Sequence, residues 1–314
     1  MKEVVVISGK GGTGKTSLMA SFAALSGECV LADCDVDAAD LHLVLEPTIV
    51  SRHPFSGGKR ARIRAGHCTA CGKCEELCRF EAILFDGPGN GGIPKTFRVD
   101  PLACEGCGVC AWFCEEHAIE FAPALSGEWC RSETRCGPMV HARLGVAEEN
   151  SGKLVATVRA GARKVAEERG IGLVLIDGSP GIGCPVIASI TGADMVVAVT
   201  EPTVSGLHDL ERVLDLTRHF RIPTLVCVNK WDLNPDVCER IEAFAAARQA
   251  QPAGRVRYDR AVTQAQIARK AVVEYQPDGC GAEIRSVWRA VQERLYSGGG
   301  PQPQQLFTIL NRGG

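Results

Sequence analysis

The chain has 314 residues, 45% of them hydrophobic and 23% charged, with a formal net charge of −2. That balance is ordinary for a globular protein and gives no reason to expect nucleic acid or anionic lipid as a main partner. No apolar run approaches the roughly 20 residues of a membrane span, and the first residues enter a strand directly, so no signal peptide is expected and the expected compartment is cytoplasmic.

In chain order, residues 3–8 read as a short buried parallel strand that runs into a glycine-rich stretch. Similar apolar runs recur at 29–32, 173–176, 195–199 and 224–228. Helical segments alternate with them, as at 203–219, where Leu207, Leu210, Val213, Leu214 and Leu216 keep a mainly helical period. This alternation predicts an α/β fold built on a doubly wound, mostly parallel sheet. It stops between Arg62 and Pro123, where cysteine, glycine and proline dominate, including Gly87-Pro88-Gly89-Asn90-Gly91-Gly92. An offset of 36 positions there lays Cys68, Cys71, Cys74 and Cys78 on Cys104, Cys107, Cys110 and Cys114. The same offset lays Ala82-Ile83 on Ala118-Ile119 and Phe85 on Phe121, which marks an internal duplication. The expected organisation is one nucleotide-binding domain in two parts, 1–61 and 124–296, an inserted domain at 62–123, and a flexible tail at 297–314.

Gly9-Lys10-Gly11-Gly12-Thr13-Gly14-Lys15-Thr16 fits G-x-x-x-x-G-K-[ST] between a strand and a helix. Its glycines let backbone N–H groups converge on phosphate, and the helix adds its positive end. Lys15 is expected against the β- and γ-phosphates, Thr16 on Mg²⁺, and Ser17 at the edge of the same set. Asp33-Cys34-Asp35-Val36-Asp37 follows the second strand, and Asp177-Gly178-Ser179-Pro180-Gly181 follows the run at 173–176. Asp177 is placed for the Mg²⁺ shell, and Gly178 or Gly181 to sense the γ-phosphate through N–H. Asn229-Lys230 ends another strand; with Trp231 and Asp232 it also spells N-K-x-D, a guanine-reading pattern.

Sixteen cysteines in a cytosolic chain point to metal. Two runs of C-x-x-C-x-x-C-x-x-x-C are those of a bacterial ferredoxin, in which the fourth cysteine of each run ligates the other cluster. The expected sets are Cys68, Cys71, Cys74 and Cys114 on one 4Fe–4S cluster, and Cys104, Cys107, Cys110 and Cys78 on a second. Zinc needs only four cysteines in paired knuckles and has no use for eight. Proline usually follows the fourth cysteine; here Arg79 and Glu115 do. Cys29, Cys34, Cys227 and Cys238 read as packing residues.

The pattern K-G-G-x-G-K-T beginning at Lys10 resembles the deviant Walker A loop of the MinD, ParA, Mrp and nitrogenase iron protein superfamily. The resemblance implies that Lys10 contacts phosphate across a homodimer that sandwiches ATP. It implies that Asp35 orients the attacking water and joins Thr16 and Asp177 around Mg²⁺, and that Asn229 and Lys230 meet adenine, favouring ATP over GTP. Interruption by an α+β two-cluster module resembles the MinD-superfamily P-loop ATPases with an inserted ferredoxin domain. The function so implied is ATP hydrolysis coupled to electron transfer through two 4Fe–4S clusters to a redox partner. A second reading is an Mrp-type carrier that hands iron–sulfur or metal cofactor to a client. It would use a cluster bridged through Cys184, with Cys136 or Cys130 as companion. A third is a MinD-like positioning ATPase; the apolar segment at 306–312 carries one basic residue and is too short for a stable membrane-docking helix.

Overall fold

Strands buried on both faces carry unbroken apolar runs, and the run at the start of this chain becomes the strand Lys2–Ser8 near the middle of a nine-stranded sheet. The computed structural model describes residues 1–145 and 151–297. The expected tail lies outside the described residues except for Ser297. The chain divides into two compact units.

The first unit holds Met1–His53, Trp129–Arg143 and residues 151–297. Its sheet runs in the order Gln251–Val256, Thr224–Asn229, Met195–Thr200, Lys2–Ser8, Leu173–Asp177, Val30–Asp33, Gly137–Leu144, Gly127–Thr134 and Thr48–Phe55. From the first of these to Gly137–Leu144 every neighbouring pair is parallel. The doubly wound, mostly parallel α/β sheet expected from the sequence is therefore present. Four of its strands have no apolar run in the sequence. Gln251–Val256 carries Pro252 and Gly254, and Thr48–Phe55 is an edge strand with Ile49 and Val50 exposed.

Val4 and Val6 face a core that also holds Phe22 of the helix Lys15–Ser26 and Trp288 of the helix Cys280–Tyr296. These two rings stack at 5.0 Å between centroids. On the other side Glu3 is buried among arginines of the helix Gly152–Arg169: Arg159 bonds it, and Arg163 Nη2 donates to its Oε2 at 2.8 Å. The helix Val204–His219 opens at Thr203, whose Oγ1 accepts from Gly206 N at 2.9 Å.

The second unit holds Pro54–Glu128 with Leu144 and Gly145. It begins before the expected residue 62 and ends after 123, because the strand Gly58–Ile63 pairs antiparallel with Ile119–Ala124 and brings both flanks with it. A second antiparallel pair joins Ile83–Gly87 to Thr96–Val99, and two short helices run Lys73–Leu77 and Val109–Trp112. The duplication is visible in the backbone. Ala70, Gly72 and Glu81 have φ of 55°, 82° and 51°, and at the same offset Gly106, Gly108 and His117 have 65°, 78° and 48°. Left-handed turns are uncommon outside glycine, so three such matches follow from repeated turn geometry. Among the described residues no helix is long and apolar enough to cross a membrane.

Candidate functional site

In an open parallel sheet, groups gathered at the carboxyl ends of neighbouring strands share one crevice. Strand Lys2–Ser8 delivers the loop of residues 9–14, and its neighbour Leu173–Asp177 ends in Asp177. Asp177 is in register with Asp33, the last residue of Val30–Asp33. Gly14 precedes the helix at φ 87°, and a Cβ there would come within 2.3 Å of Asn229 Nδ2, so only glycine fits.

Lys15 is buried and held by two carboxylates, Asp177 Oδ1 at 2.6 Å and Asp35 Oδ2 at 3.0 Å. Thr16 Oγ1 donates to Asp177 Oδ2 at 3.1 Å. Burial alone would favour a neutral amine, but the charges of Asp177 and Asp35 override it and raise the Lys15 pKa. Burial also pushes up Asp35, with Lys15 offsetting part of the effect. Asp33 goes well above the usual carboxylate range, through burial and then the charge of Asp177. Among the described residues Asp33 Oδ2, Asp35 Oδ1 and Thr13 Oγ1 are buried without a hydrogen-bond partner. Beside the Lys15 ammonium the site therefore keeps buried oxygens that accept no hydrogen bond.

Lys10 reaches Glu201 Oε2 at 3.3 Å and Ser205 Oγ at 3.4 Å. Lys230 bonds the other oxygen of Glu201 and donates to Gly12 O at 3.2 Å. Asn229 Nδ2 donates to Thr13 O at 2.7 Å, so the strand end at 229 braces the loop. A cavity of about 340 Å³ is lined by Lys15, Thr16 and Ser17 together with Asn229, Tyr258 and Val262. Asp232 does not line it; its Oδ1 accepts from Tyr258 N at 2.6 Å.

Two residues of this site escaped the sequence reading. Asp33 was legible only as part of an acidic tract, and Glu201 only as the residue after the apolar run at 195–199. Gly178 and Gly181, expected to sense the γ-phosphate, are engaged within the chain in this structure. Their N–H groups donate to Val6 O and Ser8 O at 2.9 and 2.8 Å, extending the parallel pairing past Asp177. Of the suggested companions of Cys184, Cys130 lies in the strand Gly127–Thr134 and Cys136 just before Gly137–Leu144. Cys184 is exposed just after Asp177, whereas Cys130 is buried and Cys136 lies beside Cys29, whose Sγ donates to Cys136 O. Cys29 precedes Val30–Asp33, so Cys136 belongs to the end of the sheet away from Asp33. Cys29, Cys34, Cys227 and Cys238 are all buried packing thiols; burial pushes Cys29 and Cys227 up to about 12.

In the second unit the cysteines line two cavities. One, of about 230 Å³, is lined by Cys68, Cys71, Cys74, Cys110 and Cys114. The other, of about 20 Å³, is lined by Cys78, Cys104, Cys107 and Cys110. Cys74, Cys78, Cys110 and Cys114 pack on an apolar cluster of Cys68, Ile83, Phe97 and Ala118. Ala118 N donates to Cys114 Sγ at 3.3 Å. Glu115 pairs with Lys73 at 2.7 Å on the surface. Among the described residues no three His, Cys, Asp or Glu side chains stand close enough to hold a single metal ion.

The profile of the CobQ/CobB/MinD/ParA nucleotide binding domain matches residues 4–272. The uncharacterized protein MJ0578 of Methanocaldococcus jannaschii is 32% identical over 241 residues, which are 74% of this chain and 79% of that one. In fold, the chain is similar to a chain of the MinC:MinD cell division protein complex of Aquifex aeolicus, with a TM-score of 0.55 and 16% identity. That likeness covers 96% of this chain and 98% of the other. The septum site-determining protein MinD complexed with Mg-ADP from Pyrococcus horikoshii gives 0.53 at 17% identity, covering 95% and 97%.

Proposed function

The chain belongs to the CobQ/CobB/MinD/ParA nucleotide-binding family, and from that premise we propose that it hydrolyses ATP as a homodimer and couples this to electron transfer through two 4Fe–4S clusters. At the nucleotide site, Lys15 exchanges its two carboxylate partners for the β- and γ-phosphates, and the N–H groups of the loop from Gly9 to Thr16 cradle them. Thr16, Asp35 and Asp177 would hold Mg²⁺, with the orphaned oxygens of Asp33 and Asp35 beside them; the ion supplies charge neutralisation at the phosphates. Asp35 orients the attacking water. Lys10 leaves Glu201 to reach the phosphates of the partner protomer. Asn229, Lys230 and the 257–259 stretch border the base, and the engagement of Asp232 by Tyr258 N supports adenine over guanine.

The observation that carries the cluster reading is that the eight cysteines line two cavities, Cys110 bordering both. The fourth thiol of each run, Cys78 and Cys114, lines the cavity of the other run. A ferredoxin-type cluster takes three thiolates from one run and the fourth from the other. Burial pushes the Cys74 thiol up to about 11 and raises that of Cys110, so these two keep their protons until a metal centre takes their sulfurs. When bound, the clusters supply one-electron chemistry, and the chain holds, orients and shields them. The inserted module at 62–123, widened to its paired strands, is thus read as a two-cluster ferredoxin domain, and its client as a redox protein.

The test is iron and sulfide quantification on protein purified anaerobically. The proposal expects about eight irons per chain; a chain that reconstitutes with none, or with zinc alone, contradicts it. The carrier reading draws on Cys184, the one exposed cysteine outside the two runs. It expects roughly two more irons per chain, lost in Cys184→Ser, and equal iron in both proteins rejects it.

A further inference from the structure

The glycine-rich stretch at 87–92 has no counterpart in the second copy of the repeat, and the nucleotide and cluster readings leave it unused. In the structure it forms a turn closed by Asn90 N to Ile93 O at 3.1 Å, with Thr96 Oγ1 donating to Pro88 O at 2.6 Å. The Asn90 side chain is fully engaged. Its Oδ1 accepts from Ile93 N at 3.1 Å, which fixes the amide orientation. Its Nδ2 then donates to Cys68 O at 2.8 Å and to Ala65 O at 3.1 Å.

Cys68 opens the first cysteine run and is 9% exposed, one of the most enclosed of the eight thiols. Holding the Cys68 and Ala65 carbonyls from 22 and 25 positions away fixes the peptide planes on both sides of the turn 65–68. That turn sets the direction in which Cys68 Sγ leaves the backbone. The second copy holds the equivalent turn from within: Asp100 Oδ1 accepts from Leu102 N at 2.9 Å, and Asp100 O from Cys104 N at 3.1 Å.

We propose that Asn90 is a positioning residue for one cluster only, the one assigned to Cys68, Cys71, Cys74 and Cys114. The inference rests on the two-cluster reading above. Ligand-orienting partners of this kind change metal retention by about 10- to 100-fold when removed. In Asn90→Asp the bond from Ile93 N survives, while a carboxylate oxygen replaces the amide donor and faces two carbonyl oxygens.

The experiment follows iron release to a chelator, together with EPR of the reduced protein, in the anaerobic full chain. Asn90→Asp is expected to lose about half its iron about 10- to 100-fold faster than wild type. Its EPR spectrum should pass from that of two interacting clusters to that of one isolated cluster, the remaining half releasing at the wild-type rate. A purely structural role would release both halves together. Thr96→Val breaks the bond to Pro88 on the same hairpin without touching Cys68, and is expected to keep both clusters. Faster loss of both halves in Asn90→Asp, an unchanged rate, or equal loss in Thr96→Val overturns the positioning role while leaving the clusters in place. Wild-type protein that holds no cluster overturns the reading beneath it.

Discussion

Lys15 is the buried lysine of the phosphate-loop motif, and two carboxylates hold it in the structure. A buried ammonium needs compensating charge, and Asp35 and Asp177 provide it at 3.0 and 2.6 Å. In the proposed function, phosphate oxygens take over that task when the nucleotide enters. Asp35 is then free to act on water, so Asp35→Asn is expected to lower kcat for ATP by about 100-fold or more with little change in KM. A steady-state titration of ATP checks this, and an unchanged kcat would remove Asp35 from the reaction. Lys10 rests on Glu201 and Ser205 within its own chain. Lys10→Ala is expected to lower ATPase activity and ATP-induced dimerisation together, read by turnover and light scattering on the same samples; a full-rate monomer would refute the trans-acting lysine. Lys10, Lys15, Thr16, Asp35 and Asp177 were legible in the sequence because a phosphate loop and its strand-end aspartates must sit in short contiguous patterns. Asp33 and Glu201 were not. Asp33 acquires its place by register with Asp177, 144 positions away, and Glu201 by the approach of two lysines from distant loops.

The central strands and the helix Val204–His219 were legible because each carries an apolar pattern of the right period. The strand Gln251–Val256 was hidden by Pro252 and Gly254, and Gly137–Leu144 by an apolar content confined to a few inward positions. The repeat in the second unit was legible from cysteine spacing alone, while the antiparallel pairing that widens its boundaries needed the register of Gly58–Ile63 with Ile119–Ala124. Glu3 ties the first strand to the helix Gly152–Arg169 through Arg159 and Arg163, and Arg159 Nη1 also donates to Ala188 O and Thr191 O at 2.7 and 2.9 Å. Burial would raise the Glu3 carboxyl, but the arginine bonds and charges prevail and hold it below its ordinary value of 4.5. Its stabilising contribution is therefore present above that value and is lost as pH falls through the lowered pKa. Glu3→Gln leaves Arg159 buried without its counter-charge and is expected to cost about 3–5 kcal/mol at pH 7. In denaturant titrations the gap from wild type should narrow on acidification; a gap independent of pH would mean that Glu3 acts through packing alone. The crossing of the cysteine runs is testable at this scale too. Cys114→Ser should damage the cluster of Cys68, Cys71 and Cys74 and spare that of Cys104, Cys107 and Cys110, with Cys78→Ser doing the reverse in EPR. Damage confined to each residue's own run would contradict the shared ligation.

At the scale of the whole molecule, one chain carries a phosphate-loop lysine held by two carboxylates and a unit whose eight cysteines line two cavities. The strands Thr48–Phe55 and Gly127–Thr134 lead the chain into and out of that unit, and both belong to the sheet that carries the nucleotide loop. A change at the strand ends on ATP binding thus has a covalent route to the cysteine unit. The measurement that tests this coupling most directly is EPR of the chemically reduced protein, recorded with and without saturating MgATP. The account predicts a change in line shape or potential on adding MgATP that is absent in Lys10→Ala. Superimposable spectra, in protein shown to bind the nucleotide and to hold both clusters, would contradict it.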